Sequence, residues 1–138
     1  DEAARDIATR SDGIPRVLIN LSRAAVNTAI VMEKKIIDKK VAETMFNLNN
    51  IDGIGLPEIA HRILKILASI YPKSTGLENL SVTINEDAKY ISGWVEPRLI
   101  QHGFIERTTK GRILTGKGMD YIRPFLNKEK EVKSAREI

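Results

Sequence analysis

The chain contains no cysteine. That excludes disulfides and thiolate zinc sites, and it fits a reducing compartment. Aromatic residues make up only 5% of the 138 positions, so any core must be assembled from aliphatic side chains, and the single Trp94 is assigned to that core. No apolar run is long enough to span a bilayer, and the first residues lack the basic-then-apolar pattern of a secretory signal, so the chain is expected to be cytoplasmic. A Gly-x-x-x-x-Gly-Lys-Ser/Thr phosphate loop is absent as well. His61 and His102 have no Cys, Asp or Glu at metal-ligand spacing, and they read as surface or boundary histidines. Glu86-Asp87 reads as a charge pair favoured by a helix start rather than as an acid/base dyad. No catalytic residues and no metal ligands are assigned, and no enzyme reading is supported within these residues.

Hydrophobic residues account for 42% of the chain, enough for a core in one domain of ordinary size or in a small domain with part of a neighbour. The charge is unevenly placed. Residues 1–103 hold 13 basic and 13 acidic side chains, whereas residues 104–138 hold 9 basic and 5 acidic, so the whole net charge of +4 lies in the last quarter. A basic excess confined to one region is the electrostatic footprint of a phosphate-binding edge. The chain opens at Asp1, partway into what reads as a helix, and is taken as a piece of a longer protein.

Helical spacing organises the first part. Residues 1–10 have helical composition and stop at Ser11-Asp12-Gly13. Pro15 suits the first turn of a second helix, with Ser11 or Asp12 near enough to cap it, and Val17, Leu18, Leu21, Ala24, Ala25, Thr28, Ala29 and Met32 recur with its period. Asp38 can cap a third helix that buries Val41, Ala42, Met45 and Phe46. Periodicity then breaks over residues 50–56, rich in Asn, Asp and Gly, which is read as a linker between a helical bundle (1–49) and a second domain (57–126).

In the second domain Pro57 opens a helix carrying Ile59, Ile63, Leu64, Ile66, Leu67 and Ile70, closed by Pro72. A short helix follows over Leu77 to Ile84. Asn85 can cap the next one, whose inward side is read as Ile91, Trp94, Val95, Leu99 and Ile100. Pro97 should kink it, and Gly103 should end it in the left-handed way. Two β-prone runs then flank Thr108-Thr109-Lys110-Gly111, a hairpin in which Gly111 supplies positive φ and Arg107, Lys110 and Arg112 form a cationic tip. A closing helix over 115–126 leads into a charged, solvated tail, 127–138. Helix, short helix, helix, basic hairpin, helix is the layout of a winged helix-turn-helix, and the leading expectation is a contact with nucleic acid.

Three motifs in order carry a resemblance. Gly13-Ile14-Pro15-Arg16, Trp94-Val95-Glu96-Pro97-Arg98-Leu99-Ile100-Gln101-His102-Gly103-Phe104-Ile105 and Arg107-Thr108-Thr109-Lys110-Gly111-Arg112 together resemble the C-terminal part of the RuvB family, bacterial motors of Holliday-junction branch migration. The resemblance implies a mainly α fold: the end of a helical AAA+ lid, then a DNA-binding winged helix with a small hairpin wing. It further implies that Arg16 reaches nucleotide phosphates from the lid, as a bidentate guanidinium can, and that Arg107 and Arg112 touch duplex DNA, with Lys110 a third contact at the tip. For the full-length protein it implies ATP and Mg, a homo-hexamer, and the partners RuvA and RuvC at Holliday junctions, in recombination and repair. Without a phosphate loop this chain alone should hydrolyse no ATP and bind no cofactor, and it is expected to be monomeric. Two positions depart from the family pattern: Ala88 stands where a basic residue is common, with Lys89 beside it, and Thr109 replaces the proline of the wing.

Such contacts would grip phosphates without reading sequence. A free-standing winged-helix transcription regulator is the alternative, although its recognition helix would offer little beyond Lys89 and Ser92 to read bases; a protein-interaction module is a third. Inward packing of Arg107 and Arg112 on carboxylates, leaving no cationic rim, would overturn the wing assignment.

Overall fold

Side-chain caps and left-handed residues set the ends of the first three helices. The structure, a computed structural model, describes residues 1–136, and it divides into two units, Asp1–Glu58 and from Ile59 onward. Helix α1 (Glu2–Arg10) begins where the Asp1 carboxylate accepts the Ala3 N–H at 3.0 Å. Ser11 closes it, its hydroxyl donating to the Ala8 carbonyl at 2.6 Å. Asp12 and Gly13 then turn the chain with φ of 56° and 69°, and Pro15 occupies the first turn of α2 (Pro15–Val31). Helix α2 has no side-chain cap, so Ser11 and Asp12 do not play the capping role expected of them: one is used by the preceding helix and the other by the turn. Asp38 does cap α3 (Lys39–Leu48), accepting the Val41 N–H at 2.9 Å.

Ala3, Ile7, Leu21, Ala25, Ala42, Met45 and Phe46 form the core of this unit, and each large side chain buried there contributes about 1.5–3 kcal/mol. Val41 joins the buried face of α3 as its spacing predicts, whereas Leu18 on α2 is exposed. The stretch after α3 is a built turn. The Asp52 carboxylate accepts the N–H groups of Ile54 and Leu56 at 3.0 and 2.8 Å, and Arg10 donates to the Asp52 carbonyl at 3.2 Å while its guanidinium lies 3.8 Å from the Phe46 ring centre. Gly55, at φ 90°, is required here, because a Cβ would stand 2.0 Å from the Arg10 carbonyl oxygen.

The second unit contains α4 (Glu58–Ile70), α5 (Leu77–Ile84), α6 (Ala88–Tyr90), a π-helical segment (Ile91–Val95), α7 (Glu96–Gln101), β1 (Ile105–Thr108), β2 (Gly111–Leu114) and α8 (Gly116–Arg136). Asn85 does not cap the third helix. It ends α5 in the left-handed conformation, φ 54°, which Asn tolerates better than most residues, and Asp87 caps α6 instead by accepting the Lys89 N–H. The wide turns of the π segment precede Pro97, whose ring nitrogen has no hydrogen to return to the preceding turn. They also rotate the register. Ile91, Val95 and Leu99 line the core at spacings of four, and Trp94, expected inside, is carried outward to 50% exposure, with Ile100 at 38%. Gly103, φ 76°, closes α7 in a Schellman arrangement: its N–H reaches the Ile100 carbonyl at 2.9 Å and that of Phe104 reaches Leu99 at 2.9 Å.

Apart from Phe104, the buried hydrophobic side chains of this unit are aliphatic. Phe104, Tyr121 and Phe125 join His102 and His61 in one row of ring contacts, with centroids 4.4–5.8 Å apart, which accounts for both histidines. Thr115 caps α8, its hydroxyl accepting the Gly118 N–H at 3.0 Å. Helix α8 does not stop near Leu126. It continues to Arg136 because the tail is built from Lys, Glu and Ala, strong helix formers, and Glu129 pairs with Lys65 of α4. Its side chains beyond Leu126 are exposed as the charge pattern predicts, with Glu137 and Ile138 outside the described residues. The unit is a winged helix-turn-helix, and the whole chain is mainly α.

Candidate nucleic-acid interface

The hairpin pairs Ile105 with Leu114, Glu106 with Ile113, Arg107 with Arg112 and Thr108 with Gly111, leaving Thr109 and Lys110 as a two-residue tip. Ile105 and Leu114 anchor its base in the core. Gly111 takes φ 122°, and a Cβ there would lie 2.2 Å from the Thr75 carbonyl oxygen. This close approach lets Thr75, in the turn before α5, pair with β2 as a one-residue third strand: the Arg112 N–H donates to Thr75 at 2.7 Å and the Thr75 N–H to Arg112 at 3.0 Å. The wing is thereby fixed to the helices.

The register sets two guanidinium groups directly opposite each other, an arrangement that destabilises a strand pair unless a counter-charge intervenes. Glu96 supplies it. Its carboxylate is fully buried at the start of α7, and it accepts Arg107 Nε on one oxygen and Arg112 Nε on the other, each at 2.8 Å. Arg107 also donates through Nη2 to the Ser92 carbonyl at 3.0 Å. The wing is therefore clamped to the third helix by charge-assisted bonds to a buried carboxylate, the strong class of hydrogen bond.

The clamp separates the three expected wing contacts. Arg112, with 17% of its side chain exposed, spends its Nε on the Glu96 pair. Arg107 keeps 47% of its side chain in solvent, and Lys110 is exposed at the tip. Both arginines do lie on a carboxylate, but one carboxylate between two guanidiniums leaves a net positive charge, and a cationic rim of Arg107 and Lys110 persists. Ala88 is exposed beside the exposed Lys89, and Thr109 is exposed in the tip. Arg16 belongs to the first unit, where it is the exposed second residue of α2. Among the described residues no group of three or more His, Asp or Glu could hold a metal ion, and no helix is long and apolar enough to cross a membrane. Sequence reasoning missed Glu96. The available signal was the in-register pair Arg107 and Arg112, which demands an acidic partner, but nothing local shows that Glu96 faces inward.

Residues 53–123 match the family model of the RuvB C-terminal winged helix domain. The chain belongs to the RuvB family. Among similar proteins, the RuvB subunit of the Holliday junction branch migration complex from Ligilactobacillus salivarius is 34% identical over 130 residues, covering 94% of this chain and 39% of that protein. The subunit from Streptococcus thermophilus is 37% identical over 128 residues, covering 88% and 38%. Among solved structures, the RuvB Holliday junction branch migration motor of Thermotoga maritima superposes with a TM-score of 0.78 at 34% identity, covering 89% of this chain and 42% of that one. This RuvB-family chain thus spans about two-fifths of the length of its relatives.

Proposed function

We propose that this chain is the portion of a branch-migration motor subunit that grips duplex DNA at Holliday junctions, through phosphates and without regard to sequence. The observation that carries the reading is the clamped wing, which holds Arg107 half exposed beside the exposed tip Lys110 on a hairpin fastened to the helices through Glu96 and Thr75. A rigid cationic edge with few base-reading side chains suits backbone contact, since phosphate bonds position a protein but carry no sequence information. Arg112 shares the Glu96 carboxylate that orients Arg107 and adds a second positive charge to the same edge.

In the intact protein, ATP with Mg, a homo-hexameric ring, and the partners RuvA and RuvC belong to the same reading, in recombination and DNA repair in the bacterial cytoplasm. The residues present suit one part of a nucleotide site. Arg16 stands at the second position of α2, a helix N-terminus whose dipole favours an anion and where a guanidinium matches phosphate oxygens. The nucleotide itself supplies the phosphoryl chemistry when bound, and Arg16 would orient its phosphates.

Titration of junction and scrambled duplex DNA at two salt concentrations tests the wing. Affinity should fall steeply with salt, and Arg107→Ala with Lys110→Ala should weaken all sequences alike. Unchanged affinity in that double variant, or a strong preference for one duplex sequence, would overturn the reading, the latter in favour of a transcription regulator.

A further inference from the structure

The Thr75–Arg112 bridge does more than brace the wing. It brings the turn after α4 against the hairpin tip, where the Ser74 hydroxyl donates to the Lys110 carbonyl at 3.3 Å. Between the two segments runs a groove of about 490 Å³, lined by Lys73 and Ser74 on one side and by Thr108, Thr109 and Lys110 on the other. No carboxylate lines it. Two ammonium groups and the Thr109 hydroxyl line it on backbone fixed by reciprocal hydrogen bonds, while the Ser74 and Thr108 hydroxyls donate to the Lys110 and Gly111 carbonyls and hold the two sides in place.

We infer that this groove is a phosphodiester-binding cleft in which Lys73, outside the hairpin, supplies a cation as important as Lys110. The inference rests on the wing reading and deepens it: the strand would be held between two chain segments rather than touched by a hairpin tip alone. Lysine is suited to this task because a point charge on a flexible stem can follow a phosphate as the duplex slides. The net charge of residues 1–103 is zero, so nothing in composition marks Lys73; only the bridge brings it to the basic edge.

The test uses the whole chain and a scrambled-sequence duplex across a salt series, with Lys73→Ala, Lys110→Ala, the double variant, and Lys128→Ala as a control in the exposed part of α8. Lys73→Ala should weaken binding several-fold on every sequence and lower the slope of log affinity against log salt by about one, as loss of one phosphate contact requires. Lys110→Ala should do the same, and Lys128→Ala should do neither. A Lys73→Ala variant within twofold of the parent with an unchanged slope, while Lys110→Ala weakens binding, overturns the cleft and leaves the wing reading standing. If neither variant matters, the cleft fails, and the wing reading is then decided by the Arg107→Ala/Lys110→Ala variant. Because Lys73 is exposed, the fold should survive the change, and matched circular dichroism spectra check that it does.

Discussion

Replacing Glu96 by alanine should be among the most damaging single changes in the second unit, and its effect on DNA binding should run against simple electrostatics. The carboxylate is fully buried and receives two charge-assisted bonds of 2.8 Å. Removing one partner of a buried ion pair costs about 3–5 kcal/mol. Arg107 has 47% of its side chain exposed, so its share is that of a surface pair, at most about 1 kcal/mol. Arg112, 17% exposed, carries most of the remainder, because its Nε would stay in a dry site beside a second guanidinium. A net loss of about 3 kcal/mol is expected, which for a unit of this size lowers Tm by about 12–24 °C. Urea and thermal unfolding followed by fluorescence of the single Trp94, in the π-helical segment, provide the assay. The order of damage should be Glu96→Ala, then Arg112→Ala, then Arg107→Ala. The Glu96→Ala/Arg112→Ala double variant should lose less than the sum of its singles, since the two share one interaction. Deleting a negative charge near a phosphate site would by Coulomb's law tighten DNA binding; if the clamp positions Arg107, affinity falls instead, under conditions where the variant remains folded. A loss below about 1 kcal/mol, or tighter DNA binding, would refute the clamp.

Other perturbations probe separate parts of the structure. Gly111→Ala should cost about 1–3 kcal/mol and break the Thr75–Arg112 bridge, because φ is 122° and the new Cβ would meet the Thr75 carbonyl; faster hydrogen exchange at those two amides is the readout. Phe46→Ala should destabilise the first unit by about 3–5 kcal/mol, since Phe46 is 1% exposed and lies under the Arg10 guanidinium; loss of far-UV ellipticity at lower urea would show it. The Val41 N–H, and then Lys34, hold the Asp38 carboxyl below the ordinary carboxylate range. Its contribution is therefore complete above about pH 4, and it fades as pH falls through that lowered value. Asp38→Ala should thus be less stable than the parent at neutral pH, with the gap closing in strong acid, measured as urea midpoints across the pH range.

Several features were legible from local pattern alone, each because the physics behind it is local. The buried face of α3 follows from helical periodicity over Val41, Ala42, Met45 and Phe46; the Asp38 cap and the Schellman stop at Gly103 depend on a handful of neighbouring residues. The hairpin is set by Thr109-Lys110-Gly111 between β-prone arms. Trp94 was misread because helical spacing assumes α geometry, and the π segment before Pro97 turns that side chain out of the core. Ser11, Asp12 and Asn85 were each given a helix to start, when two of them finish one and the third forms the turn between, since polar residues near a helix boundary suit either side of it.

What the sequence determined by itself is a set of short-range conformations and a surplus of positive charge in its last quarter. Only the tertiary structure decided how that charge is divided: Arg112 turned onto a buried carboxylate 16 positions upstream, Arg107 left half in water, and Lys73 brought beside Lys110. The reason is that burial and ion pairing depend on distances between segments remote in the chain, and those distances exist only after α7, the turn before α5 and the hairpin have packed together.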